Sequence, residues 1–145
     1  MRNHHNIDIG ERMAEKIKIN VGAALQELED PPPHFAVHGR DLMSGIPKEI
    51  IVTYKEIARA LDQTIAQIEQ AVLAALGQTP PELSADIYNT GIYLTGGGSM
   101  LRGLDKRISQ KTKLPVYVAE DPLRAVARGT GIALKNTDNF QFLIR

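Results

Sequence analysis

The stretch IYLTGGGSMLRGLDKRI, from Ile92 to Ile108, places three consecutive glycines between an apolar run and an amphipathic run. Glycine in regular structure costs about 0.5–1 kcal/mol relative to alanine, because it loses the most conformational freedom on folding. The pattern predicts a short strand, a turn of bare backbone and a helix from Ser99 to Lys111. Its inward residues would be Met100 or Leu101, then Leu104 and Ile108. The glycines therefore need either a ligand or a close packing contact to explain them.

Ligands in open α/β sheets bind beyond the carboxyl ends of the strands, which is where this turn lies. Free backbone N–H groups at a helix start suit an anionic or sugar-phosphate ligand. The turn fits neither of two named motifs: a dinucleotide-binding fingerprint needs glycine at Leu101, and a P-loop needs lysine at Leu104. Spacing alone leaves two interpretations open, a turn that cradles a ligand and a tight turn that lets helix and sheet pack closely.

The remainder of the second half repeats the alternation of strand and helix. The run LPVYVAE, residues 114–120, has the character of a strand, and Asp121-Pro122 predicts the start of a further helix with Asp121 as its cap. That helix would carry four apolar residues: Leu123, Val126, Ala127 and Ile132. The order strand, turn, helix, strand, helix indicates an α/β layer with parallel strands.

The first segment has helical periodicity. Apolar residues recur at spacings of three and four, which predicts one buried stripe that ends before the prolines at 31–33: Met13, Ile17, Val21, Leu25 and Leu28. Three charged residues share the opposite face: Glu11, Glu15 and Lys18. Taken alone, they are typical of a solvated surface with weak ion pairs worth about 0.2–0.5 kcal/mol each.

The middle of the chain predicts a smaller α+β unit. The runs HFAVHGRDL and EIIVT, residues 34–42 and 49–53, are strand candidates separated by a turn. Thr53 with Glu56 forms a capping box for a long helix that Gly77 ends, and Thr79 with Glu82 predicts a second box.

Composition excludes several classes of function. The 145 residues carry a net charge of +0, which argues against general affinity for nucleic acid or anionic lipid. The absence of cysteine excludes disulfide and thiolate chemistry. His34 and His38 lack a third ligand for zinc. The basic residues of the second half are expected to form a solvated helix face: Lys106, Arg107, Lys111 and Lys113.

Two stretches taken together resemble the bacterial actin-like cell-shape proteins of the MreB family. They are IGERMAEKIKINVGAA (residues 9–24) and the run from YLTGGGSMLRGLDKRI to LPVYVAEDPLRAVARGTGIAL (residues 93–134), with TPPELSADI (residues 79–87) between them. Each motif alone is generic to the superfamily of actins, sugar kinases and heat-shock chaperones. Their combination, with VAEDPL and VARGTG, is specific to this family.

The resemblance implies the second domain of an actin-like, ribonuclease H-like ATPase fold with a small α+β subdomain inserted. It implies a first helix of the large subdomain at residues 1–23, the inserted subdomain at 24–78 and the remainder of the large subdomain at 79–145. The chain is thus expected to be a C-terminal half, without the phosphate loops and the aspartates that organise magnesium.

The resemblance also assigns site residues. ATP in this superfamily lies between two domains, and the early helix would contact the adenosine through Glu15, Lys16, Ile17 and Lys18. The glycine turn would contact the adenine and ribose through Gly96, Gly97, Gly98, Ser99 and Met100. No catalytic residue and no metal ligand is expected in this chain, which is therefore expected not to be an enzyme by itself.

The intact protein would be a filament-forming cytoskeletal protein that determines rod cell shape by organising cell-wall synthesis. The resemblance implies a cytoplasmic, membrane-associated location, self-association into filaments, and membrane-bound cell-shape and wall-synthesis partners. No nucleic acid partner and no membrane segment is expected in this part. The alternatives are a fragment of a sugar kinase or chaperone of the same superfamily, and a free-standing interaction module.

Overall fold

The computed structural model describes residues 1–137. In chain order it contains six helices and five strands within that range, together with one 3₁₀ turn at Gly97–Met100. The helices are α1 (Arg2–His5), α2 (Glu11–Val21), α3 (Tyr54–Gly77), α4 (Pro81–Thr90), α5 (Leu104–Thr112) and α6 (Ala125–Lys135). The strands are β1 (Ile7–Asp8), β2 (Phe35–Asp41), β3 (Pro47–Val52), β4 (Ile92–Leu94) and β5 (Val116–Val118).

Two separate sheets organise these elements. Strands β1, β2 and β3 form an antiparallel sheet in that order, and β2 and β3 form the predicted hairpin. Strands β4 and β5 pair in parallel, with Ile92 opposite Val116 and Leu94 opposite Val118. The predicted parallel α/β layer is confirmed by this pair, since a parallel connection requires the crossover that α5 supplies.

Helix α3 joins two hydrophobic cores. The first contains Ile17 and Val21 of α2, Val37 and Val52 of the antiparallel sheet, and Ile57 of α3. The second contains Ala24, Ile65 of α3, and Leu104 and Ile108 of α5. Because α2 packs on the antiparallel sheet, it shares a core with the strands of the predicted insert. The division of the chain into subdomains at residues 23 and 78 stays a prediction.

The hairpin between β2 and β3 is held by one carboxylate. Asp41 accepts hydrogen bonds at 2.9 Å from the backbone N–H groups of Met43 and Ser44, and Lys48 donates to it at 3.0 Å. The Ser44 N–H, then the Lys48 ammonium and the Met43 N–H, hold the pKa of Asp41 well below its usual range. The tip is therefore ordered even though Met43 is exposed.

Helix α2 is shorter than its periodicity predicts. It ends at Val21, and Gly22 follows in extended conformation with its N–H bonded to the Lys18 carbonyl. The predicted continuation to the prolines is wrong because Ala23 pairs with Arg102 in a parallel bridge, which requires extended chain. Leu25 and Leu28 are half-buried and pack against Gly103.

One predicted helix cap is absent, and two predicted helix starts are displaced. Helix α4 begins at Pro81 without a side-chain cap, and Thr79 donates its hydroxyl to the Ala75 carbonyl, so the second capping box is wrong. Helix α5 begins at Leu104, because residues 97–100 form the 3₁₀ turn. Helix α6 begins at Ala125, since residues 121–124 form a turn before it.

Helices α4 and α6 leave their apolar side chains uncovered. Neither helix has a buried residue. Leu123 and Val126 are 67% and 72% exposed, so the described residues do not cover the apolar side chains of this segment. The run NFQFLIR, whose alternation of apolar and polar residues predicts a docked tail, occupies residues 139–145, outside the described residues. In the described part of the chain, no helix combines the length and apolarity that a bilayer crossing needs.

The Thr53 capping box is confirmed and makes a pH-dependent contribution. Glu56 accepts from the Thr53 N–H at 2.8 Å, and Thr53 Oγ1 accepts from the Glu56 N–H at 3.4 Å. The Thr53 N–H holds the pKa of Glu56 below its usual value, against the effect of partial burial, and the Thr53 hydroxyl and His5 add to the lowering.

We expect Glu56→Gln to destabilise the chain at neutral pH. A carboxyl whose folded pKa is depressed stabilises fully above its unfolded pKa and loses that contribution as pH falls through the folded value. The difference in free energy of unfolding between the unmodified chain and Glu56→Gln, measured by urea titration, should thus shrink below about pH 4.5. Glu82→Gln, an exposed control, should show no such trend; equal pH dependence of both variants would contradict the assignment.

Candidate functional site: the glycine turn and the end of helix α2

The glycine turn (residues 96–100) follows β4 directly and is fixed at both ends. The Gly96 N–H donates to the Pro122 carbonyl at 2.7 Å, which ties the turn to the chain after β5. Ser99 is 5% exposed, and its hydroxyl donates to the Gly96 carbonyl at 2.7 Å. Gly96 itself has φ +80 and ψ 172, a conformation that only glycine adopts readily. Backbone geometry therefore explains the first glycine of the three.

It does not explain the other two. Neither Gly97 nor Gly98 has a positive φ. A Cβ built on Gly98 would meet nothing within 4 Å, and one on Gly97 would meet only Leu123 Cδ2 at 3.5 Å, an ordinary contact. The interpretation that these glycines let helix and sheet pack closely is therefore wrong for the described residues. Their missing side chains leave the backbone open to the outside.

The amides of this turn are open as well. Within residues 1–137, no carbonyl accepts a hydrogen bond from the N–H of Gly97 or of Gly98. The first N–H groups of a helical turn lack internal partners, so an external acceptor can bind them. Met100, the last residue of the turn, is 59% exposed beside them. The turn thus offers two bare donors next to an exposed thioether side chain.

Helix α2 ends against the residues that follow this turn. The Ala24 N–H donates to the Arg102 carbonyl at 2.8 Å, and the Arg102 guanidinium donates to the Ile19 carbonyl at 3.3 Å. The Leu101 side chain lies so close to Gly22 that a Cβ there would approach it to 2.9 Å. The structure therefore brings the early helix and the glycine turn to the same region of the molecule.

The four predicted residues of α2 differ in their surroundings. Glu15 and Lys18 form an ion pair of 2.7 Å, and both side chains are more than half exposed. Lys16 is exposed, and its carbonyl accepts from the Asn20 amide at 2.8 Å. Ile17 is 3% exposed and belongs to the first core, so its side chain anchors the helix rather than facing a ligand. The candidate contacts on α2 are thus the charged pair.

The sequence did not predict one partly buried cluster of charges. Arg107 was expected on a solvated face, but its side chain is only 17% exposed. Its Nε donates to Glu69 at 2.5 Å, and its Nη1 donates to Asp62 at 2.7 Å and to the Ala24 carbonyl at 2.9 Å. Burial alone would lower the pKa of Arg107, but the hydrogen bonds to Glu69 and Asp62 raise it. No local pattern signals this burial, because the partners of Arg107 lie far away in the sequence.

A cavity of about 750 Å³ lies beside this cluster rather than at the glycine turn. Its walls include Ala24, Asp62, Glu69, Arg107 and Lys111, and none of the nine predicted site residues. Within the described chain, no group of three or more acidic, histidine or cysteine side chains could hold a metal ion. His38, weighed above as a ligand, pairs with Glu49 at 2.6 Å instead.

The arrangement has counterparts in known proteins. The sequence profile of the MreB/Mbl protein family matches residues 1–142. The chain is 44% identical over 138 residues to the cell shape-determining protein Mbl of Bacillus subtilis, and 44% identical over 138 residues to the cell shape-determining protein MreB of Escherichia coli. Each match covers 95% of this chain, but only 41% of Mbl and 39% of MreB.

The three-dimensional likeness is equally extensive. The crystal structure of MreB5 of Spiroplasma citri bound to ADP superimposes with a TM-score of 0.89 at 35% identity, over 97% of this chain and 42% of that one. The chain therefore has an actin-like α/β fold. It belongs to the MreB/Mbl family, and it spans about two fifths of the length of the relatives it matches.

A matched pair of substitutions tests the assignment of the glycines. Gly96→Ala should destabilise the chain by about 1–3 kcal/mol, because alanine cannot adopt its backbone angles without strain. Gly98→Ala should change the free energy of unfolding by no more than about 0.5 kcal/mol, because its Cβ meets open space. Urea unfolding of both variants measures this, and a large loss in Gly98→Ala would show that this glycine is structural.

Proposed function

We propose that this chain forms one wall of the ATP site of an actin-like filament protein. The observation that carries the proposal is the pair of open amides at Gly97 and Gly98, on glycines that the described fold does not otherwise need. Bare backbone donors at a turn after a parallel strand suit a nucleotide. The ADP bound to MreB5 of Spiroplasma citri supports the same assignment.

Two segments would contribute to this wall. The glycine turn would lie against the adenine and ribose, with the N–H groups of Gly97 and Gly98 and the exposed side chain of Met100. Ser99 is buried and would hold the shape of the turn. The Glu15–Lys18 pair would contact the ribose and base, since an exposed carboxylate accepts hydroxyl donors and an ammonium donates to ring nitrogens. Lys16, which is also exposed, is the third of the predicted contacts on this helix.

The chain by itself would not hydrolyse ATP. Phosphoryl transfer depends on positioning and on charge stabilisation by metal ions and cationic groups around the phosphates. The described residues offer no cluster that could hold magnesium. Magnesium and the phosphate-binding loops would come from the part of the relatives' length that this sequence does not span.

The biological role follows from the family. We propose that the intact protein assembles into filaments in the cytoplasm, beneath the membrane, and determines rod shape by organising cell-wall synthesis. Its partners would be further copies of itself together with membrane-bound cell-shape and wall-synthesis proteins. The names of the Bacillus and Escherichia relatives as cell shape-determining proteins support this role.

We expect weak but specific nucleotide binding by the chain alone. Addition of the non-hydrolysable analogue AMPPNP to ¹⁵N-labelled chain should shift the amide resonances of Gly97 and Gly98 in a saturable manner. Gly98→Val should abolish the shifts by filling the open backbone. Gly77→Val is the matched control, because Gly77 also faces open space but lies at the end of α3.

Three results would count against this proposal. Unchanged binding by Gly98→Val would remove the glycine turn from the site. Robust ATP turnover by the purified chain, measured as phosphate release, would contradict the assignment of catalysis to other parts of the protein. A chain whose partner binding is indifferent to nucleotide and to Gly98→Val would fit a free-standing interaction module instead.

A further inference from the structure

Ala24 is hydrogen-bonded through both its N–H and its carbonyl to the segment that follows the glycine turn. Its N–H donates to the Arg102 carbonyl at 2.8 Å, and its carbonyl accepts from Arg107 Nη1 at 2.9 Å. Ala24 is 1% exposed, so neither bond competes with solvent. These two bonds connect the end of α2 with the start of α5.

Arg107 makes the second of these bonds from a fixed position. Its own N–H donates to the Gly103 carbonyl at 2.9 Å, in the first turn of α5. Its guanidinium is also held by Glu69, 8% exposed, and by Asp62, both on α3. A planar guanidinium can satisfy three acceptors in fixed directions, whereas an ammonium is a point charge on a flexible stem.

Arg107 is therefore a side-chain link between the two segments of the proposed nucleotide wall, in addition to the backbone bond from Ala24 to Arg102 and the bond from Arg102 to Ile19. Helix α2 carries Glu15 and Lys18, and α5 begins at Leu104, shortly after the glycine turn. Arg107 holds Ala24, α3 and α5 to one another, so it supports the chain that follows α2. The cavity beside Arg107 is lined by none of the residues assigned to the nucleotide. Any effect of Arg107 on the nucleotide would therefore be indirect.

We propose that Arg107 is a positioning residue: by holding the Ala24 carbonyl against α3, it sets the geometry between the Glu15–Lys18 helix and the glycine turn, and thereby the affinity for nucleotide. The nucleotide part of this inference rests on the proposed function. The geometric part stands without it, because it concerns how two segments of the protein are held together.

The test separates the charge pair from the bond to Ala24. Arg107→Lys keeps a cation beside Glu69 but loses the fork that reaches Ala24. Arg107→Met combined with Glu69→Leu removes both charges, so that no unpaired buried carboxylate remains. Lys111→Met is the matched control, since it removes a cation from an exposed position one turn further along α5.

Hydrogen exchange of the Ala24 amide, without nucleotide, gives the first readout. We expect exchange to accelerate about tenfold in Arg107→Lys and in the double variant, the effect of one lost hydrogen bond to a charged group, and not in Lys111→Met. The melting transition of Arg107→Lys should stay cooperative and fall by only a few degrees, which shows that the fold is retained. Unchanged Ala24 exchange in both Arg107 variants would overturn the proposal.

Titration with AMPPNP, followed at the amides of Gly97 and Gly98, gives the second readout. Affinity should fall about tenfold in Arg107→Lys although the fold is retained, an effect that a purely structural charge pair would not give. Equal affinity in Arg107→Lys and the unmodified chain would overturn the positioning role. A third result is possible, in which neither the unmodified chain nor any variant responds to AMPPNP but Ala24 exchange behaves as expected. In that case the proposed function fails and the geometric part of the inference remains.

Discussion

The structure depends on the pairing of Ala24 with the chain around Arg102 and Arg107. Segments 83 residues apart in sequence meet there, with the Ala24 N–H and carbonyl both bonded to the later segment. A hydrogen bond to a charged group is worth about 1.5–3 kcal/mol when buried, so this junction is a large part of the stability of a small domain. It also explains why α2 ends early, since its last residues have to extend into the bridge.

Around this junction the described residues form one enclosed core and one small sheet with an exposed face. The antiparallel sheet, α2 and the first half of α3 enclose a core whose central residues have no exposed surface, Val21, Val37 and Val52. The parallel pair β4–β5 has one face on the second core, while Tyr93 and Tyr117 stack on the other at 5.2 Å, 65% and 48% exposed. Parallel sheets in larger proteins are covered on both faces.

Local signals predicted local structure well, and failures arose where distant residues decide. The β2–β3 hairpin, the Thr53–Glu56 box and the inward faces of Leu104 and Ile108 follow from periodicity and capping, which act within one element. The end of α2 and the burial of Arg107 depend on partners far along the chain, which no local pattern specifies. The family resemblance supplied what periodicity could not, the pairing of two remote segments.

Helix α2, which carries Glu15 and Lys18, should form one rigid surface with the glycine turn. Because the chain has no cysteine, spin labels can be attached at Lys16→Cys and Met100→Cys, both exposed positions. Electron paramagnetic resonance then measures the distance between the two segments. We expect a single narrow distance distribution in the free chain. A broad or multiple distribution would contradict it, because the two segments would then move independently.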